Sequence, residues 1–255
     1  GPVPLSSSPR SYCPFFAMSK ALSSRLRFDG ACFAARETHD TALLDVQLVV
    51  EPGELVLIEL DRRTPRLPLL DAALGLEEPT QGEVLIEGKS WRDHSPAEAA
   101  KARSRIGCVF DRAEWVANLE LDKNILLAGQ HHRRGLGETL REEATAWGVR
   151  FGLESLPEAR PHDLPEHVLR RAACVRAFLG APRLIFLENP TRGIYPNLVE
   201  PLLRAVEEAR AGSAGVVWTT ASRPVIDQIE PVADQVFHAL DSTLVPKRLP
   251  TTDAP

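Results

Sequence analysis

An α/β fold built around a parallel sheet is the class this sequence predicts, and three features of its apolar pattern predict it. Short β-type runs crowd the front of the chain, apolar stripes at helical spacing fill its middle, and two continuous apolar runs with helical patterns behind them follow. Sheet strands alternating with helices is the arrangement in which strands run parallel and are covered on both faces.

Taken in order, LRFDGACF, ALLDVQLVV, ELVLIEL and EVLIEG are the front strands, separated by the turn signals Glu51-Pro52-Gly53 and Pro79-Thr80-Gln81-Gly82. Between them a helix is expected from about Leu67 to Leu76, with Leu70, Ala73 and Leu74 on one face and Gly75 near its end. Leu140, Ala144, Trp147 and Phe151 recur at spacings of four, three and four, and Leu164, Val168, Ala172, Val175 and Leu179 do likewise, so each set lays one stripe along a helix. RLIFLEN and GVVWTT, bounded by Pro or Gly, read as strands buried on both faces.

Composition narrows the function classes. With 255 residues, 44% apolar and 25% charged, the chain can bury a full core without disulfide staples, and no stretch approaches the ~18 apolar residues of a membrane span. Its net charge of −5 supplies no general field for a polyanion, so nucleic acid is not an expected partner. Cys13, Cys32, Cys108 and Cys174 form no C-x-x-C pair and are expected as reduced thiols. His131-His132 beside Arg133-Arg134 reads as a surface turn, and no metal site is expected. Residues 1–25 are expected to be a disordered tail: Gly1-Pro2 resembles the scar of a cleaved tag, the Ser- and Pro-rich stretch after it makes a poor signal peptide, and Met18, the only methionine, is an alternative natural start. One domain over 26–245, with a helical subdomain at about 111–180, and a disordered tail over 246–255 complete the expected organisation.

The segments VVEPGELVLIEL, ALGLEEPTQGEVLIEGKSW, RIGCVF, NLELDKNILL and RRAACVRAFLGAPRLIFLENPTRG stand in the order and spacing of one known domain. Over about Leu26 to Val245 the chain resembles the nucleotide-binding domain of ATP-binding cassette (ABC) transporters. The resemblance implies an ABC-type P-loop NTPase fold, with a RecA-like parallel-sheet core, an antiparallel β subdomain and an α-helical subdomain. It also marks where the family's chemistry sits, and there this chain departs. The phosphate loop needs glycines whose backbone N–H groups converge on the anion, a lysine to neutralise it and a hydroxyl for Mg²⁺. The matching positions, Leu60 to Pro68, read LDRRTPRLP. They hold no glycine, Arg66 stands at the lysine position, Leu67 and Pro68 replace the hydroxyl residues, and Thr64 and Pro65 complete the altered loop, in which both prolines remove N–H donors. Arg62, Arg63 and Arg66 are expected to form a solvated basic loop, with an anion held near a helix N-terminus as the competing reading.

The other stations differ too. Asp111 occupies the position of the glutamine that senses the γ-phosphate, and Ala35 that of an adenine-stacking aromatic. Glu188 takes the place of the Walker B aspartate and Asn189 that of the catalytic glutamate, where a carboxamide cannot take up a proton. Tyr195 replaces the D-loop aspartate and Ala221 the switch histidine. In the signature, Leu164, Pro165, Glu166, His167 and Val168 replace the family's Leu-Ser-Gly-Gly-Gln, which removes the hydroxyl and both glycines and adds an anion. The expectation is a catalytically inactive pseudo-ATPase with no cofactor, serving as a structural or regulatory subunit of a membrane-transport assembly. The alternative is an atypical working ATPase that uses ATP and Mg²⁺, in an importer or a lipid-trafficking complex; Arg170-Arg171-Ala172-Ala173 is similar to the signature helix of Mla-type phospholipid-transport ATPases. The expected partners are an integral-membrane transporter subunit and a second cassette, either another copy or an active paralogue, with the chain cytoplasmic and held at the inner face of the membrane through its partner. In the family a groove near 111–127 receives the membrane subunit, and Trp115, Val116, Leu119 and Leu121 are the candidate dock, with ordinary subdomain core as the competing reading.

Overall fold

A computed structural model describes residues 24–36, 39, 41–61, 66–112, 114–132, 137–194 and 196–248. The chain begins with β1 (Leu26–Phe33), β2 (Leu43–Val50) and β3 (Leu55–Glu59), then a short helix α1 (Leu69–Ala73), β4 (Gln81–Ile86) and β5 (Lys89–Ser90). Helix α2 (Pro96–Arg103) and β6 (Ile106–Val109) lead into three helices, α3 (Leu121–His132), α4 (Gly137–Arg150) and α5 (Glu166–Phe178). The order then alternates through β7 (Leu184–Glu188), α6 (Val199–Ala211), β8 (Gly215–Thr220), α7 (Arg223–Ile229), β9 (Gln235–Leu240) and β10 (Thr243–Arg248).

Two sheets result. An antiparallel sheet has the order β2-β1-β4-β5, and a six-stranded sheet has the order β10-β9-β3-β8-β7-β6, parallel except for β10. Every residue of β3, β7 and β8 is buried, which is why their sequences are continuous apolar runs rather than alternating ones. Alternate residues serve two cores. Leu55, Leu57, Ile185 and Leu187 face the helical side, whereas Val56, Ile58, Leu184 and Phe186 face α1 and the antiparallel sheet. On the helical side Trp147, Phe151 and Phe178 form an aromatic knot with ring centroids 5.3–5.6 Å apart. Helix α5 lies so close to β6 that a Cβ on Gly107 would meet the Ala177 carbonyl at 1.8 Å.

Three boundaries differ from the sequence reading. The first helix spans five residues, not the ten from Leu67 to Leu76, because Pro68 has no N–H and disfavours helical backbone at Leu67, while Gly75 leaves the helix with φ +65°. Strand β10 runs to Arg248, so residues 246–248 belong to the sheet; Pro246 is tolerated because β10 is an edge strand. Arg25 is likewise fixed, its N–H donating to the Val50 carbonyl at 2.7 Å. His131 and His132 end α3 instead of forming a turn. The expected tails over 1–23 and 249–255 lie outside the described residues, and no described helix is long and apolar enough to cross a membrane.

Candidate functional site

The carboxyl ends of β3, β7 and β8 meet at one edge of the parallel sheet, where open α/β folds place their ligands. There the Leu60 N–H donates to the Thr220 carbonyl at 2.9 Å and the Asn189 N–H to the Thr219 carbonyl at 2.9 Å, so the segments leaving β3 and β7 are both tied to β8. Of the altered phosphate loop, Leu60, Leu67 and Pro68 are buried, and both leucines pack into the core beneath the antiparallel sheet. Apolar side chains thus sit inward at positions where the resemblance implies a backbone cradle and a hydroxyl. The predicted solvated basic loop is corrected at Arg66, which is half-buried and ion-paired with Asp71 of α1 at 3.3 Å. Arg62, Arg63, Thr64 and Pro65 lie outside the described residues, as does Tyr195.

Glu188 ends β7 on the α1 side of the sheet and is 5% exposed. Its carboxylate accepts the Asp111 N–H at 3.3 Å. Burial raises its pKa from 4.5 to about 7, against the pull of that hydrogen bond and of the Arg66 charge, and the carboxylates of Asp71 and Asp111 push the same way as burial. Asp111 is buried in turn, with Oδ2 paired to Arg192 at 2.8 Å and Oδ1 buried without a donor among the described residues. Arg170, 2% exposed, donates to the carbonyls of Phe110 at 3.0 Å and Asp111 at 2.8 Å and to the Glu166 carboxylate at 3.1 Å. The fold therefore gathers Arg66, Asp71, Asp111, Glu188 and Arg192 into one network of fixed charges, with Arg170 bracing the backbone behind it.

Sequence reasoning found Arg66, Asp111 and Glu188 but missed Asp71 and Arg192. Their signal was spacing: Asp71 stands in the first turn of the helix behind Arg66, and Arg192 stands four residues after Glu188 on the turn that β7 enters. Asn189 has φ +41°, a left-handed conformation that Asn adopts more readily than Glu. Ala221 is half-buried against apolar core, and Ala35 is exposed beyond β1. Of the signature positions, Leu164 and Val168 pack on the helical core, while Pro165, Glu166 and His167 are exposed at the start of α5.

The proposed dock is partly corrected. Leu121 is 0% exposed and belongs to the helical core, so it cannot meet a partner. Trp115 is half-buried against that core, with the Arg176 guanidinium 4.3 Å from its ring centroid; Leu119 is half-buried and Val116 is 46% exposed.

The ABC transporter family profile matches residues 68–192, a span that runs from α1 through the helical layer to the turn after β7. Over that span the chain is similar to the ABC transporter family. Among relatives of this cassette, the Escherichia coli glutamate/aspartate import ATP-binding protein GltL is 29% identical over 182 residues, which cover 71% of this chain and 75% of that one. The Cereibacter sphaeroides methionine import ATP-binding protein MetN is 28% identical over 66% of this chain and 47% of its own length. The match to the Hyphomonas neptunium macrolide export ATP-binding/permease protein MacB, at 25% identity, spans only 30% of that larger protein. The dimeric cassette MJ0796 superposes with a TM-score of 0.75 at 22% identity, covering 86% of this chain and 96% of its own. A bacterial Atm1-family exporter with ATP bound gives a TM-score of 0.69 at 15% identity, covering 87% of this chain and 38% of that one. The cassette fold, with its parallel core, antiparallel β sheet and helical layer, is the one the sequence predicts.

Proposed function

We propose that this cassette is a pseudo-ATPase, a structural or regulatory subunit of a membrane-transport assembly that neither binds nor hydrolyses ATP. The observation that carries the reading is the ion pair of Arg66 with Asp71. The cation at the family's lysine position is engaged by the chain's own helix, in a loop with no glycine, and its distal amides are reduced by Pro65 and Pro68. The residues present do not fit Mg-ATP. Burial raises the pKa of Glu188 at the end of β7 and so weakens its hold on a cation, Asp111 is committed to Arg192, and Asn189 supplies no base.

A second reading, an atypical ATPase, is favoured by Glu188 retaining a carboxylate at the end of β7 and by relatives that are named ATP-binding proteins. Import and export systems in those names support a membrane subunit as partner, a second cassette beside it, and a cytoplasmic location at the membrane. Lipid is the cargo implied by the Arg170-to-Ala173 resemblance alone. Phosphate release from Mg-ATP by the purified chain, alone and with the membrane subunit that co-purifies with it, separates the readings. The pseudo-ATPase gives background release in both, whereas turnover that grows with chain concentration establishes the second.

A further inference from the structure

At the amino end of β6, remote from the charge network at the carboxyl ends of the strands, a cavity of about 650 Å³ opens between the end of α2, β6 and the helical layer. Its volume is that of a site for a small organic molecule. Lys101, Arg103, Arg105, Arg176 and Arg183 line it, and no Asp or Glu does. A chain of net charge −5 is thus locally basic here. Below these cations Ile106, Ile125 and Leu140 form an aliphatic floor with no hydrogen-bonding side chain.

The rim is short of counter-charge. One carboxylate, Glu87, serves three guanidiniums, Arg105 at 3.0 Å, Arg183 at 2.7 Å and Arg25 at 3.6 Å, so that cluster keeps two positive charges in excess. Arg103 donates to the carbonyls of Leu74 and Gly75 at 2.7 and 3.3 Å, and Arg176 donates to the Glu114 carbonyl at 3.0 Å while stacking over Trp115. Carbonyls and a ring orient a guanidinium without cancelling its charge. Burial lowers the Arg176 pKa, and its Nη2 has no acceptor among the described residues.

We infer that this cavity binds an aliphatic phosphate monoester, with the phosphate held by the cationic rim and the hydrocarbon laid on the floor. The inference goes beyond the proposed function and does not depend on it. A carboxylate or a sulfate ester brings a single negative charge, whereas a phosphate monoester carries about −1.5 to −2 at neutral pH and presents three oxygens that guanidinium forks match. Inorganic phosphate satisfies the rim and leaves the floor uncovered. A nucleotide lays a polar base and ribose on side chains that offer them no hydrogen bond. An alkyl chain suits the floor because burying methylenes there costs no polar group its partner. A free phosphate ester and the headgroup of a phosphatidic acid share this chemistry, and the experiment separates them.

Isothermal titration of the full chain with hexyl phosphate, inorganic phosphate and hexanol at physiological ionic strength tests it. Hexyl phosphate should bind about tenfold or more tighter than inorganic phosphate, since each methylene it buries adds to affinity, and hexanol should give no saturable heat. Arg105→Gln with Arg183→Gln should weaken hexyl phosphate about tenfold or more. Lys101→Glu, at a side chain with no ion pair among the described residues, spares the Glu87 cluster and should weaken it about threefold or more; should the double variant unfold, Lys101→Glu decides alone. Phosphatidylcholine vesicles containing phosphatidic acid then assign the source. Co-sedimentation that Lys101→Glu reduces supports a lipid headgroup, and hexyl phosphate binding without co-sedimentation supports a free ester. Equal affinity for inorganic and hexyl phosphate marks an adventitious ion only and overturns the inference. Absence of hexyl phosphate binding, or binding that these variants leave unchanged, overturns it as well.

Discussion

Replacing Glu188 by Gln isolates the electrostatics of the strand-end network. The carboxamide keeps an oxygen to accept the Asp111 N–H but removes the titration. A pKa raised from 4.5 to about 7 means that the folded chain holds the proton more tightly than the unfolded chain between those values. Stability therefore falls as pH rises through that window, and the full penalty, about 3 kcal/mol for a group this buried, is present above pH 7. Glu188→Gln should match the natural chain within about 1 kcal/mol at pH 4.5 and exceed it by about 2–3 kcal/mol at pH 8. Urea unfolding at pH 4.5, 6 and 8 reads the difference directly, provided the slopes agree between variants. A gap that stays constant across the three pH values would mean that Glu188 is ionised like an ordinary surface carboxylate, and the buried-network account would be refuted.

The remaining predictions concern separate parts of the fold. Asn189→Glu should cost about 1 kcal/mol, since Glu tolerates φ +41° less well than Asn, and should leave ATP hydrolysis at background because a returned base meets no phosphate cradle; robust turnover by this single variant would show a working site. Gly107→Ala should lose about 3 kcal/mol or fail to fold, because its Cβ would overlap the Ala177 carbonyl; unchanged denaturant unfolding would mean that α5 does not approach β6 as described. Burial pushes the Cys174 thiol up to about 12, so at pH 8 it should not react with a disulfide reagent until the chain unfolds, and rapid labelling of Cys174 in the native state would contradict its place in the core.

The strands were legible because each carries its burial in its own pattern: β3, β7 and β8 are continuous apolar runs, and their flanking Pro and Gly residues mark the ends. Helices α4 and α5 were legible from their stripes for the same reason. The first helix was misjudged because leucines at helical spacing continue past both ends, and Pro68 and Gly75 act on backbone torsions that periodicity does not register. At the site, loss of glycines was a local fact and could be read in one dimension. The Arg66–Asp71 and Asp111–Arg192 pairs were not, since the second joins residues 81 positions apart that only the sheet brings together. Leu121 was misplaced on the docking face because a helix's first apolar residue does not declare which neighbour it packs against.

The central claim, that the chain's own charges have replaced the nucleotide site, is tested most directly by isothermal titration of the purified chain with Mg-ATP at neutral pH. The account predicts no saturable heat at sub-millimolar concentrations. A dissociation constant of ~10 µM or tighter, worth ~7 kcal/mol of binding, would mean that Arg66 leaves Asp71 for a phosphate and would contradict the account.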